Sequence, residues 1–284
     1  MDGMINYKVA DRVAVITLNR PEKANAQNYP FLYQLNECWE RAADDDEVTV
    51  IVLQAKGRHF SAGHDLSGTE YPKTDELRSK GKFDLTHHYR YELKHFLGYS
   101  LNWRNVPKPS IAAVQGKCIA AGLMLCWPCD LIVAADNAEF SDPVAGGLGI
   151  GGVEYHGHTW EFGARKAKEL LFTGRTIDAY KAEQIGMVNR VVPVIDLENE
   201  TMALALEIAE QDPFALLQAK RAVNQTLDIM GFQTALQSVF DIHEMGHGAM
   251  WSRRSEGESR GSALERMKER NQEIAQRQRT ETKA

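Results

Sequence analysis

The chain has 284 residues, 43% of them hydrophobic and 25% charged, with a formal net charge of -6. It is long enough to bury a substantial core without stapling devices, and its mild acidity supplies no basic field for nucleic acid or an anionic membrane surface. Of the 4 cysteines, three crowd between Cys118 and Cys129; this is no spaced disulfide framework and no apolar run is long enough to span a bilayer, so a reduced, cytoplasmic protein is expected.

The N-terminal stretch MDGMINYKVADRVAVITLNRP starts acidic and alternates as a strand does, unlike a secretory leader. Residues 4–19 predict two strands turning at Asp11-Arg12, with Pro21 ending the second. A helix is expected over NYPFLYQLNECWERAAD, capped by Asn28 with Pro30 in its first turn. VTVIVLQA (48–55) reads as a buried strand. The pattern recurs: IAAVQGKCIAAGLMLCW predicts strand, glycine turn and helix, and DLIVAAD the next strand. EFSDPVAGGLGIGGVEYHG predicts a glycine-rich loop, residues 161–172 a helix, GRTIDAYKAEQIG a turn and short helix, and MVNRVVP a last strand. From about residue 197 the pattern is wholly helical. Residues 68–95 are polar and aromatic, predicting a loop or lid and then a helix. Residues 252–284 have scarcely any apolar positions and predict a solvated helix or disordered tail. The expected division is a core over 1–196, a helical region over 197–251 and the polar tail.

Three motifs invite chemistry and are set aside. Cys126-Trp-Pro-Cys129 has the spacing of a redox dithiol, but its first cysteine follows AGLML and so lies towards a helix end, away from the N-terminal dipole that lowers a thiol pKa; buried small hydrophobes are expected. Gly147, Gly149 and Gly152 fit G-x-G-x-x-G, but FSDPVAG before them is read as no strand, as a dinucleotide loop requires. His243-Glu-Met-Gly-His247 fits H-E-x-x-H, yet no histidine follows, Gly246 weakens the helix, and an acidic third ligand would have to come from the polar tail. A helix-end histidine pair, and no metal, is expected.

The chemistry is expected from backbone. In GRHFSAGHDLSG (57–68) small residues follow a strand, so the amide of His64 can turn towards a ligand. In CIAAGLMLC a strand runs into a helix start, whose first amides lack intrahelical partners and carry the positive dipole end. Two such amides converging would form an oxyanion hole; otherwise both are merely tight turns.

LNRPEKANA (18–26), FSAGHDL (60–66), PKPSIAAVQG (107–116), AAG (120–122), CDLIVAAD (129–136), F-x-D-P (140–143), FTGRTIDAYKAEQIGMVNRVVP (172–193) and AKRAVN (219–224) together resemble the enoyl-CoA hydratase/isomerase, or crotonase, superfamily, from about residue 4 to about 250. The resemblance implies an α/β spiral of ββα repeats with a C-terminal helical trimerisation region, a homotrimer or dimer of trimers, and an acyl-CoA thioester ligand, with coenzyme A as part of the substrate and no separate cofactor. It implies a hydratase or isomerase, a lyase/isomerase-class enzyme of fatty-acid or related catabolism. It puts the thioester-oxygen donors on the amides of His64 and Ala121, with Gly122 beside them, and Lys23, Ser61, Ala62, Asp65 and Leu66 near CoA.

The chain also departs from that family. The positions of its two catalytic glutamates fall on Met124 and Val144, which cannot supply the acid and base that hydration needs. Ordinary two-glutamate hydration is therefore not expected. Replacement candidates are Glu154, in a loop that supplies a carboxylate nucleophile in the related 4-chlorobenzoyl-CoA dehalogenases, and Asp142; His156, His64 and the insertion residues His87, His88, Tyr89 and Tyr91 lie in the same regions. Each has a plainer reading: Asp142 as a turn cap, Glu154, His156 and His158 facing solvent or a neighbouring subunit, His64 working only through its amide, the insertion aromatics lining an acyl pocket. Another crotonase reaction (C–C bond hydrolysis, isomerisation or dehalogenation) through Glu154 or Asp142, and a non-catalytic acyl-CoA binder, stay open as alternatives.

Overall fold

The computed structural model describes residues 3–66, 80 and 84–253, with scattered positions between 265 and 280. Strands β1 (Ile5–Ala10) and β2 (Val13–Leu18) form an antiparallel hairpin. Its two turn residues, Asp11 (φ 51°) and Arg12 (φ 65°), are both left-handed, the geometry that lets a two-residue turn match the strand twist. β2 then pairs in parallel with β3 (Val50–Ala55), and the sheet continues through β4 (Ser110–Val114), β6 (Leu131–Ala135) and β9 (Arg190–Val192), in the order β1-β2-β3-β4-β6-β9. A second sheet holds β5 (Lys117–Ile119), β7 (Glu139–Ser141) and β8 (Ile177–Asp178) in the order β5-β7-β8. Successive passes of the chain feed both sheets, which makes the spiral.

The parallel strands are apolar on both faces because both are covered. On one side Ile16, Ile51 and Leu53 join the main core with Phe31, Leu35 and Trp39 of helix Tyr29–Asp44. That helix starts as its sequence predicts, Asn28 accepting the amide of Phe31 and Pro30 lying in its first turn. On the other side Val13, Val50, Val52, Ile111, Ala113 and Val133 pack beneath Leu204 and Ala205 of helix Leu197–Ala209. This first helix of the region expected to serve oligomerisation therefore also roofs the core sheet. The next, Pro213–Ile229, buries none of its residues, and helix Phe232–Arg253 completes the C-terminal region.

Several boundaries differ from expectation. The segment before the G-x-G-x-x-G motif does contain a strand, β7, but helix Val144–Leu148 separates that strand from Gly149 and Gly152. The stretch 161–172 is divided between helices His158–Phe162 and Ala164–Thr173 at Gly163, whose φ of 70° ends the first. The helix expected after β5 is a single 3-10 turn, Ala120–Gly122, followed by one helical turn, Leu123–Cys126. In the polar insertion the expected helix runs Leu85–Glu92, then through a π-helical turn (Leu93–Leu97) into Gly98–Arg104; the loop or lid expected at the start of the stretch 68–95 falls mostly outside the described residues. Most of the tail does too, although Gln278 exchanges hydrogen bonds with the backbone of Thr176, so that part is docked and not merely solvated.

Candidate active site

Two chain reversals meet at the end of β3 and β5. Asn25, fully buried, donates to the carbonyls of Lys56 and His59. Ser61 Oγ donates to Asn25 O (2.9 Å) and accepts from Gly63 N and Gln27 Nε2 (both 3.2 Å). Gln27 Nε2 also reaches the carbonyl of Ala121 at 2.9 Å, tying the two reversals together. Gly63 has φ +89°, and a Cβ there would lie 2.9 Å from Ile119 O and 3.2 Å from Ala121 N, so no side chain fits between the reversals.

The backbone on either side is aimed by pairing. Gln27 N donates to Gly63 O and Asp65 N to Gln27 O, which turns the N–H of His64, between them, away from Gln27. Ala121 lies in the first turn of the short helical stretch, where amides have no intrahelical partner. Ala120 before it has φ 50°, a conformation costing a non-glycine residue ~1–2 kcal/mol. A bend held at that cost presents the following amide in a way a relaxed turn would not.

The residues named for CoA contact divide. Lys23 and Ala62 are exposed and Leu66 is half-buried. Ser61 is fully buried in the bonds above, and the buried Asp65 pairs with Arg20 Nη1 at 2.6 Å; their side chains face inward and hold the loop. Gly122 is buried against Ser61 O, where a Cβ would come within 2.6 Å. Met124 and Val144 belong to the apolar core.

Glu154 is the carboxylate that the fold brings to the first reversal. Its Oε1 lies 3.1 Å from His64 Nε2 and 3.7 Å from His243 Nε2. The His64 ring is stacked on Phe96, centroids 4.0 Å apart. Burial pushes the Glu154 carboxyl up, but His64 and His243 more than counter this and hold it below the ordinary glutamate value. Glu154 thus faces neither solvent nor a subunit surface, contrary to the plainer reading, and neither does His158, which is fully buried. His158 Nε2 lies 2.9 Å from Asp142 Oδ2, which also accepts from Val153 N, while Oδ1 accepts from Val144 N. Burial raises the Asp142 carboxyl and these partners bring it below its ordinary value. Asp142 is fastened on several sides and braces the glycine loop. His156 is half-buried beside His158. His87 is exposed and pairs with Asp84, and Tyr89 donates to Asp241.

Sequence reasoning missed the other half of the cluster. Glu92, 2% exposed, lies between His88, whose Nε2 is 3.1 Å from its Oε1, and His243 and His247, whose Nε2 atoms are 3.4 and 3.6 Å from its Oε2. The signal is present as His88-x-x-x-Glu92 on one helix face and as H-E-x-x-H, which the sequence alone presents as a helix-end histidine pair. That reading is corrected: Gly246 does not break the helix, His243 is buried within it, and the acidic neighbours come from Glu92 and Glu154, not from the tail. Burial opposes a charge on His243, yet Glu154 and Glu92 raise it to about 10. Burial lowers His247 to about 4 and raises Glu244 to about 7. The cysteines lie elsewhere: Cys126 and Cys129 are buried with strongly raised thiol pKa, and Cys126 faces Cys118 at 3.7 Å. They are inert core residues.

A spiral of two sheets with paired strand-end reversals is the architecture of the crotonase fold. The family description "Enoyl-CoA hydratase/isomerase" matches residues 8–272, and the chain belongs to that family. EchA13 of Mycobacterium tuberculosis, which carries an enoyl-CoA hydratase name, is 42% identical over 264 residues, covering 87% of this chain and 81% of that one. The short-chain-enoyl-CoA hydratase of Clostridium acetobutylicum is 30% identical, with 90% and 93% covered. Among solved structures, a probable enoyl-CoA hydratase from Mycobacterium thermoresistibile superposes with a TM-score of 0.81 at 61% identity, covering 87% of this chain and 98% of its own.

Proposed function

We propose that the protein is an acyl-CoA-processing enzyme that hydrates an enoyl-CoA, with the amides of His64 and Ala121 receiving the thioester oxygen and Glu154 acting as the acid/base group. The observation that carries this is the contact of the buried Glu154 carboxylate with the ring of His64, the residue whose own amide is turned towards the site. One residue then couples the oxyanion donor to the carboxylate, and Met124 and Val144 leave no competing acid among the family positions. In the reaction, Glu154 takes a proton from water as its oxygen bonds to the β-carbon. Electrons move onto the thioester oxygen, where the two amides stabilise them, and the protonated carboxyl then delivers the proton to the α-carbon. Coenzyme A enters as part of the substrate, and Lys23, Ala62 and Leu66 are the accessible residues to meet it.

The hydratase names of the relatives support this reaction, and its place on this reading is in fatty-acid or related acyl-CoA catabolism in the cytoplasm. Self-association into a trimer or dimer of trimers is supported by helix Pro213–Ile229, which leaves Phe214, Val223 and Ile229 more than half exposed in the single chain. The test is incubation with crotonyl-CoA and longer and cyclic acyl-CoAs, followed by mass spectrometry with binding measured in parallel. Gain of water, falling ~10²–10⁴-fold in Glu154→Gln while thioester binding persists, is the expected result. Turnover undiminished in Glu154→Gln would remove Glu154 from the mechanism; tight binding with every substrate returned unchanged would favour a carrier.

A further inference from the structure

We propose that the chain holds a divalent metal ion of the zinc class, bound by His243 Nε2, His247 Nε2 and Glu92 Oε2, at a buried site beside Glu154. His243 and His247 stand one turn apart on helix Phe232–Arg253, so both rings leave the same face. Their Nε2 atoms are 3.1 Å apart, and Glu92 Oε2, from helix Leu85–Glu92, lies 3.4 Å from the first and 3.6 Å from the second. The carboxylate separations are long for hydrogen bonds, although all three atoms converge. Ligands ~2.0–2.1 Å from a tetrahedral ion stand ~3.3–3.4 Å from one another, and the three observed edges bracket that spacing.

The outer contacts fit the same reading. His243 Nδ1 lies 2.7 Å from Gly152 O; donating there leaves Nε2 as the atom that faces the cluster. Glu92 Oε1 is held by His88 Nε2 at 3.1 Å while its Oε2 faces His243 and His247, and His88 Nδ1 has Glu244 Oε2 at 3.4 Å behind it. Metal-bound histidines and carboxylates are braced through their other atoms in just this manner. An independent observation comes from Glu154, which is 3% exposed: its Oε2 has no hydrogen-bond partner among the described residues. A cation in the triangle would face that carboxylate, whose Oε1 is 3.7 Å from His243 Nε2. Two overlapping groups of donors, His88, Glu92 and His247, and Glu92, Glu154 and His243, meet at Glu92. Two histidines and one glutamate form the ligand set of zinc sites that keep a fourth position open, here on the side of Glu154.

The test uses the full chain, made without a histidine tag or chelator and analysed for bound metal, then stripped and titrated with cobalt(II) and zinc. One equivalent per chain, the visible bands of four-coordinate cobalt, and a rise in Tm on adding zinc are expected. His247→Ala and Glu92→Gln should each lose the equivalent, and His88→Ala should weaken binding ~10–100-fold. No cobalt bands and no zinc-dependent Tm shift in the wild-type chain would overturn the proposal and leave a cluster held by protons alone. Undiminished binding in both ligand variants would overturn it too, by moving the ion elsewhere. None of these readouts depends on turnover, so the result stands apart from the proposed hydration.

Discussion

Gly63→Ala separates backbone chemistry from side-chain chemistry, because it removes no functional group and adds only a methyl between the two reversals. That methyl meets Ile119 O at 2.9 Å and Ala121 N at 3.2 Å, on a residue whose φ is +89°. The left-handed conformation costs ~1–2 kcal/mol for alanine and overpacking costs ~1–3 kcal/mol, so a loss of ~2–5 kcal/mol is expected. Against a stability of ~5–15 kcal/mol the variant stays folded, with the reversals pushed apart by a few tenths of an ångström. If the amides of His64 and Ala121 form the oxyanion hole, spoiling one donor costs ~2.7–4 kcal/mol, or ~10²–10³ in kcat. Urea unfolding reads the first quantity, and crotonyl-CoA turnover reads the second. A variant destabilised by the expected amount but turning over at the wild-type rate would refute the assignment of the hole to these reversals.

His64→Ala keeps the amide and removes the ring that holds Glu154. Its rate loss should be smaller than that of Glu154→Gln, and the two losses should fail to add in the double variant, because both act through one contact; full additivity in kcat would show that His64 and Glu154 work independently. Asp142→Asn should lower stability at neutral pH by ~1–3 kcal/mol. Since the folded-state pKa of Asp142 is depressed, its contribution is present above the unfolded value of ~3.9 and is lost as pH falls through the folded one. The melting curves of variant and wild type should therefore converge in acid, and a gap that persists to the lowest measurable pH would contradict the role given to the His158 pair. Asn25→Ala strips a buried side chain's bonds from the carbonyls of Lys56 and His59 and from Arg20 N; a loss of ~2–5 kcal/mol in urea unfolding is expected, and a change below ~0.5 kcal/mol would mean those groups find other partners.

The fold was legible where local pattern and tertiary demand agree. Asp11-Arg12 between alternating strands, Asn28 and Pro30 ahead of an amphipathic run, and the β-branched cores of β3 and β6 each state their conformation within a few residues, and the structure keeps them. Glycines were legible as bends but not in their consequences, because the sequence does not say that Gly163 would cut a helix while Gly246 would sit harmlessly inside one. The difference is tertiary: Gly163 takes a φ of +70°, whereas Gly246 packs against Ile150, where even a Cβ would come within 3.2 Å. The loop around His64 was legible as a motif, yet Ser61 and Asp65 were read as ligand contacts when their side chains face inward to Asn25 and Arg20. A motif fixes which residues recur and leaves open which way each one points. The cluster around Glu92 was hardest to see, since its members come from four separated stretches, at residue 64, at 88–92, at 154 and at 243–247. Burying three glutamates among four histidines is costly unless each charge meets an opposite one or a metal. Packing alone gives no reason to keep such a cluster, so its cost counts in favour of the roles proposed for Glu154 and for the two histidines beside Glu92.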